Sequence, residues 1–148
     1  MNTVVEILDY AIAREAEAAD FYRDLAERTE AAGMRKVFQE FCEEELRHKA
    51  RLEMVKSGAT ALTPQQQVVD LKIVDYLVDV PEQADLNYQD ALIVAMKREQ
   101  AAFRLYTDMA EKMSDPEIRE VFVGLAKEEA KHKLYFESEY DERILREN

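Results

Sequence analysis

The sequence predicts an all-α fold, a four-helix bundle made of two repeated helical hairpins joined by a long crossover. Glycine and proline are scarce, at three residues each, so long stretches of helix-forming residues run uninterrupted. Within these stretches, apolar residues recur at alternating steps of four and three, as on the inward face of a bundle helix. The chain also repeats itself at an offset of 84, where residues 6–53 and 90–137 share 17 identities in 48 positions without a gap.

The expected domain is single and covers residues 1–148. Its first hairpin spans about 3–57, with helices at 3–29 and 33–57, and its second spans about 87–145, with helices at 87–113 and 116–145. Thr3 and Glu6 form a capping-box pattern at the start of the first helix. Asn87 caps the third helix, and Asp115 precedes Pro116 at the start of the fourth helix. The crossover, about 58–86, contains an apolar patch at 68–80 that favours a short helix.

Charge and cysteine content exclude several classes of function. The formal net charge of −12 argues against nucleic acid or an anionic membrane as the main partner. A single cysteine, Cys42, excludes an internal disulfide and a four-cysteine metal site. The longest apolar run, 91–96, is far short of a membrane span, and the start of the chain lacks the basic residues of a signal peptide. We expect a soluble cytoplasmic protein.

Six residues interrupt the apolar stripes with charged or titratable side chains. They are Glu15, Glu45, His48, Glu99, Glu129 and His132. In an antiparallel hairpin, residues equidistant from the turn lie at the same height, and each lone glutamate precedes its Glu-x-x-His pair by 30 residues around a predicted turn. Residues three apart share a helix face. The spacing therefore predicts that four carboxylates and two imidazoles converge in the middle of the bundle.

A cluster of bare carboxylates in a core would be very unfavourable, because an isolated buried charge costs several kcal/mol. Four glutamates would balance two divalent cations, and an oxygen-rich set with two imidazoles suits iron or manganese, with zinc also able to bind. A single Glu-x-x-His pair is more often a solvated helix face. Two such pairs, each 30 residues after a core-facing glutamate, favour a dinuclear metal site.

The segments around these residues resemble the ferritin-like di-iron carboxylate proteins, which use one glutamate from each of two helices and Glu-x-x-His from the other two. The likeness is carried by residues 15–22 and 43–48 and by their counterparts 99–106 and 127–132. More narrowly, the chain is similar to the rubrerythrin family. This resemblance implies that Glu45 and Glu129 bridge two irons and that Glu15 and Glu99 bind one iron each. It also implies that His48 and His132 complete the coordination.

Two departures from the rubrerythrin pattern are visible. Rubrerythrins proper carry a four-cysteine iron domain that supplies electrons, which a chain with Cys42 alone cannot hold, so an external donor such as a rubredoxin or a flavoprotein is implied. The extra family carboxylate one turn beyond the third-helix glutamate is replaced by Ala102. Tyr22 and Tyr106 lie seven residues after the lone glutamates, and they are either core tyrosines or hydrogen-bond partners of the ligand carboxylates.

The predicted function is that of a di-iron redox protein that reduces hydrogen peroxide, or O₂, with electrons from an external donor. Two alternatives stay open: a ferroxidase that stores iron, and a structural bundle without chemistry. We expect a homodimer. The crossover is long enough for the second hairpin to pack on a neighbouring chain, so swapped and unswapped dimers are equally compatible with the sequence.

Overall fold

The structure is a computed structural model that describes residues 2–59, 61–78 and 87–145. The chain divides into two compact units, one ending at Ile73 and the other beginning at Val74. Each unit contains one helical hairpin. In the first unit these helices are α1 (Val4–Arg28) and α2 (Ala32–Ala59), and in the second they are α4 (Tyr88–Lys112) and α5 (Pro116–Tyr140). The one-domain prediction is not tested by this division and stays a prediction.

Local side-chain chemistry explains where three of the long helices begin. The Thr3 hydroxyl accepts from the Glu6 N–H at 3.1 Å, and the Glu6 carboxylate accepts from the Thr3 N–H at 3.1 Å, which completes the predicted capping box. This hydrogen bonding lowers the pKa of Glu6. Asn87 accepts from the Asp90 N–H at 2.8 Å. Asp115 accepts from two backbone N–H groups, at 2.9 and 3.1 Å, just before the first helical residue, Pro116.

The predicted helix ends are less accurate than the predicted starts. α2 continues to Ala59, two residues beyond the predicted position 57. The last helix is α-helical only to Tyr140, and Asp141–Leu145 form a π-helical turn instead of the predicted continuation. The Asp141 N–H is shared between the carbonyls of Glu137 and Ser138, so the regular hydrogen-bond ladder is already disturbed at that point.

Apolar stripes at the predicted spacing form the core of each unit. In the first unit the side chains of Leu8, Phe38 and Leu52 are fully buried. In the second unit the same is true of Leu92, Leu125 and Phe136. Burial of a large apolar side chain stabilises the fold by about 1.5 to 3 kcal/mol. These stripes fix which face of each helix points inward, and they therefore also fix the direction of the polar residues placed on that face.

The crossover carries more regular structure than the sequence predicts. After α2 come a short helix α3 (Pro64–Gln67), a strand β2 (Val68–Val69) and a 3-10 turn (Ile73–Tyr76). β2 pairs antiparallel with β1 (Asn2–Thr3), with Asn2 opposite Val69. The Ile73 N–H donates to Asn2 Oδ1 at 3.1 Å, which fastens this segment to the first unit. Part of the predicted crossover, residues 60 and 79–86, lies outside the described residues.

Tyr76, at the start of the second unit, contacts α4. Its side chain is 5% exposed, and its hydroxyl donates to Asp108 Oδ2 on α4 at 2.6 Å. The guanidinium of Arg104 lies 5.7 Å from the centre of the Tyr76 ring, within cation–π range. Burial, followed by the neighbouring Asp108 carboxylate, raises the pKa of Tyr76 well above its usual range.

Replacing this tyrosine should destabilise the protein measurably. Tyr76→Phe removes a hydrogen bond to a carboxylate, so we expect a loss of about 1.5 to 3 kcal/mol in the free energy of unfolding, measured in urea at pH 7. The folded pKa of Tyr76 is raised, so its stabilisation is fully present below the unfolded pKa, near 10, and is lost as pH rises above it. Above pH 10, the free energy of unfolding of the wild-type protein should therefore fall more steeply than that of the variant, by up to about 1.4 kcal/mol per pH unit.

Tyr140→Phe is the matched control for this prediction. The Tyr140 hydroxyl lies 3.5 Å from Gln89 Nε2, a contact much weaker than that of Tyr76. The control should lose less than about 1 kcal/mol, because a long neutral hydrogen bond contributes little. Equal destabilisation by the two substitutions would contradict the anchoring role of Tyr76.

Candidate metal centre

The first hairpin brings Glu15, Glu45 and His48 together inside the protein. Glu15 comes from α1, and Glu45 and His48 lie one turn apart on α2. All three are buried, with at most 2% of their surface exposed. His48 Nδ1 lies 3.6 Å from Glu15 Oε2 and 3.4 Å from Glu45 Oε1. One ligand atom of each residue lies within 4.8 Å of the others, so the three could hold one ion.

The second hairpin repeats this arrangement with Glu99, Glu129 and His132. Glu99 comes from α4, and Glu129 and His132 lie one turn apart on α5. They too are buried, at 1%, 1% and 3% exposure. His132 Nδ1 lies 3.6 Å from Glu99 Oε1, and the three residues again offer ligand atoms within 4.8 Å of one another. Within each hairpin, the structure therefore places the predicted residues in one cluster.

Hairpin geometry explains why residues 30 positions apart in sequence become neighbours. Glu15 and Glu45 are equidistant from the short connection between α1 and α2, and Glu99 and Glu129 are equidistant from the one between α4 and α5. The histidine three residues later lies on the same face as its glutamate. Three small side chains on these helices, Ala11, Ala18 and Ala95, are also buried. Because alanine is small, these positions add little side-chain volume near the carboxylates.

The spacing of the polar atoms fits a shared metal ion. Charge-assisted hydrogen bonds are about 2.7–2.9 Å long, shorter than the histidine–carboxylate separations of 3.4–3.6 Å. Two ligands each about 2.1 Å from one ion, at angles of 90–120°, would be about 3.0–3.6 Å apart. Buried carboxylates also need compensating positive charge. Each cluster is therefore able to bind a divalent cation, and its two carboxylates and one imidazole suit iron, manganese or zinc.

The two tyrosines singled out in the sequence are core residues in the structure. Tyr22 and Tyr106 are each 1% exposed. Tyr22 makes edge-on ring contacts with Phe21 and Phe41, both at 5.8 Å, and Tyr106 packs against Phe122 at 6.0 Å between ring centroids. Such aromatic contacts stabilise each cluster's surroundings. A hydrogen bond from either tyrosine to a ligand carboxylate stays a prediction.

Comparison with known proteins shows the family of this chain and the class of its fold. Residues 6–140 match the model of the family described as Rubrerythrin. The chain is 27% identical over 135 residues to the uncharacterized protein YhjR of Bacillus subtilis, covering 90% of this chain and 83% of that protein. The chain belongs to the rubrerythrin family, as the sequence motifs predict.

Two solved structures resemble the whole chain. One, from Thermotoga maritima, is described as a ferritin-like diiron-carboxylate protein; it has a TM-score of 0.78 at 20% identity and covers 95% of both chains. The other is a hypothetical protein from Pyrococcus furiosus, with a TM-score of 0.72 at 24% identity over 93% of this chain and 87% of that one. These likenesses confirm the predicted all-α, ferritin-like fold.

Across the part of the chain that the structure describes, no helix is both long enough and apolar enough to cross a bilayer. This finding agrees with the short apolar runs of the sequence.

Proposed function

We propose that this protein is a di-iron redox protein that reduces hydrogen peroxide with electrons from an external donor. The observation that carries the proposal is the pair of buried Glu–Glu–His clusters, which occupy matched positions in two repeated hairpins. Membership of the rubrerythrin family supports the same chemistry. A structural bundle without chemistry would have no physical reason to keep six such side chains in its core, because apolar residues would stabilise it better.

Both clusters would contribute to one dinuclear site. By analogy with the family, Glu45 and Glu129 would bridge the two irons, and Glu15 and Glu99 would each bind one iron. One histidine from each hairpin, His48 or His132, would complete each coordination sphere. Four carboxylates carry the charge that two divalent ions balance, which supports a dinuclear site over a mononuclear one. Manganese or zinc could occupy the same ligands, so iron itself is part of the proposal.

The paired metal would supply the two electrons that hydrogen peroxide consumes on its reduction to water. The protein's own contribution is positioning and shielding. Burial of the six ligands keeps bulk water from the site, and hairpin geometry holds the carboxylates in place without further loops. The buried alanines Ala11 and Ala95 lie one turn before the lone glutamates and add little side-chain volume there, which is compatible with a small oxidant. The preference for peroxide over O₂ rests on the family resemblance.

Anaerobic rapid-mixing experiments test this proposal. Iron-loaded, fully reduced protein should be oxidised at least about tenfold faster by hydrogen peroxide than by an equal concentration of O₂, followed by the absorbance of the oxidised site. His48→Ala/His132→Ala should abolish the fast phase, because it removes one ligand from each cluster. Lys131→Ala is the control, because Lys131 is an exposed residue beside His132. This variant should keep the fast phase. Equal or faster oxidation by O₂ would contradict the peroxidase preference.

The homodimer and the cytoplasmic location are also part of this proposal. Sedimentation should show two chains per particle, whereas a particle of about 24 chains would favour the iron-storage alternative. Mixed dimers of Glu15→Ala and Glu129→Ala chains separate the swapped from the unswapped form. In a swapped dimer both lesions fall in one site, so the other site is intact and binds iron. Without swapping, each chain carries a damaged site.

A further inference from the structure

A groove of about 440 Å³ lies on the second unit, between α4, α5 and the 3-10 turn. Leu77, Val78 and Met96 are among its apolar lining residues. Leu77 is 58% exposed, and Val74, in the same turn, is 64% exposed. Clustered apolar side chains on a surface are typical of sites that bind another molecule. Among the residues that the structure describes, Leu77 and Val74 are therefore open to contact with another molecule.

Three cations surround this apolar lining. Lys97 and Arg104 are exposed on α4, and Lys133 lies on α5. Lys133 forms an ion pair with Glu137 at 3.0 Å, while Arg104 is held over the ring of Tyr76. Asp75 is the other carboxylate of the lining, so three cations stand against two carboxylates. In a chain of net charge −12, the side chains that line this groove carry a net charge of +1.

The internal repeat shows that two of the three cations are specific to the second hairpin, whereas Lys133 corresponds to Lys49 and keeps its charge. At the offset of 84, Lys97 corresponds to Ala13 and Arg104 corresponds to Asp20. The uncharged Ala101 of the groove corresponds to Glu17. The hairpin design and its metal ligands are kept in both halves, but the charge of this face is reversed. Lys97 and Arg104 are therefore not required by the hairpin fold or by the ligand cluster that both halves share.

The groove also lies next to metal ligands along the chain. Its lining residue Gln100 directly follows Glu99, and its lining residue Lys133 directly follows His132. An α-helix is about 10 Å across with its side chains. A molecule seated in the groove is therefore separated from two ligands of the second cluster by about the width of one helix.

We propose that this groove is the docking surface for the electron donor, a small redox protein with a negatively charged surface. The inference rests on the proposed function, because a donor is needed only if the metal site turns over. Each turnover consumes one hydrogen peroxide, two protons and two electrons and gives two water molecules. Two one-electron carriers therefore dock in succession, and each leaves oxidised by one electron. The apolar lining provides contact area, and the cations increase the association rate and orient the partner.

Charge reversal of the groove tests the proposal, with a rubredoxin of net negative charge as the probe. In the full-length, iron-loaded protein, Lys97→Glu/Arg104→Glu should weaken rubredoxin binding at least about tenfold in calorimetry at low salt, or about 1.4 kcal/mol. The rate of reduction by reduced rubredoxin should fall by a similar factor at low salt, and it should rise with added salt, because attraction has become repulsion. Reduction by dithionite, which needs no docking, should be unchanged.

Two further variants make this test specific. Arg23→Glu/Lys49→Glu makes the same change in net charge on the first hairpin, where both side chains are surface residues in ion pairs or hydrogen bonds with acidic neighbours. It should bind rubredoxin within about twofold of the wild type. Lys97→Glu alone keeps the contact between Arg104 and Tyr76, so the 3-10 turn stays anchored. It should weaken binding about threefold.

Several results would overturn the docking proposal. One is a wild-type protein that does not bind the rubredoxin, and another is a charge reversal that leaves binding unchanged. Conversion of a dimer to a monomer by Lys97→Glu/Arg104→Glu would show instead that the groove is covered by a second copy of the chain. Failure of the proposed function looks different, because dithionite-reduced wild-type protein would then not react with peroxide, whatever its affinity for rubredoxin.

Discussion

Glu45→Ala is expected to abolish dinuclear iron binding. Glu45 is 1% exposed and lies 3.4 Å from His48, so its carboxylate is central to the first cluster. As a proposed bridging ligand it would contact both metal ions, and its loss would also leave the site one negative charge short. After anaerobic loading and desalting, iron content measured by mass spectrometry should fall from about two ions per site to fewer than one.

Neighbouring substitutions provide the controls for this measurement. Glu43→Ala removes an exposed carboxylate from the same helix and should leave the iron content unchanged. Cys42→Ser should also leave it unchanged, because Cys42 is a buried side chain outside both ligand clusters. Glu129→Ala should reproduce the effect of Glu45→Ala, since the two glutamates occupy matched positions in the repeat. Full iron content in both glutamate variants would contradict the proposed bridges.

Removal of the metal should lower the thermal midpoint by about 10 °C. Without cations, the buried carboxylates of each cluster repel one another at close range and lose their compensating charge. A ligand present at a thousand times its dissociation constant stabilises the folded state by about 4 kcal/mol. For a protein of this size, each kcal/mol corresponds to about 2–4 °C. Calorimetry of the loaded protein and of the chelated protein at neutral pH measures the difference.

A variant without the two proposed bridging carboxylates shows whether this shift of the thermal midpoint comes from the proposed ligands. In Glu45→Gln/Glu129→Gln, two negative charges are removed at nearly constant volume. The difference between the loaded and chelated midpoints should then shrink to less than about 3 °C, since less charge remains to be compensated. Identical midpoints of loaded and chelated wild-type protein would contradict the convergence of these carboxylates around a metal.

The ligand clusters could be predicted from sequence because every step that builds them is local or repeated. A helical period determines which residues face inward, and a short connection determines which residues of two neighbouring helices lie at the same height. Glu15 and Glu45 meet for this reason alone, and Glu99 and Glu129 meet for the same reason at the offset of 84. Caps such as Thr3 are also local, so the starts of the helices were predicted well.

The sequence could not predict contacts that depend on long loops folding back. Strand β1 pairs with β2 across 65 to 67 residues, and the Ile73 N–H bonds to Asn2 across 71. Two-residue strands have no detectable period, so nothing local indicates their pairing. The π-helical turn at Asp141–Leu145 could not be predicted either, because a π-helix differs from an α-helix only in which carbonyl each N–H reaches.

The sequence by itself therefore determined the family, the hairpins and the six candidate ligands. Only the tertiary structure decided how the crossover is anchored and where the positive groove forms. Tyr76 and Asp108 are 32 residues apart, and their 2.6 Å hydrogen bond brings the 3-10 turn against α4. In the sequence, Lys97 and Arg104 are two surface charges among many. They become part of a groove only because that turn packs beside them, a contact that depends on the tertiary path of the chain and not on any local spacing.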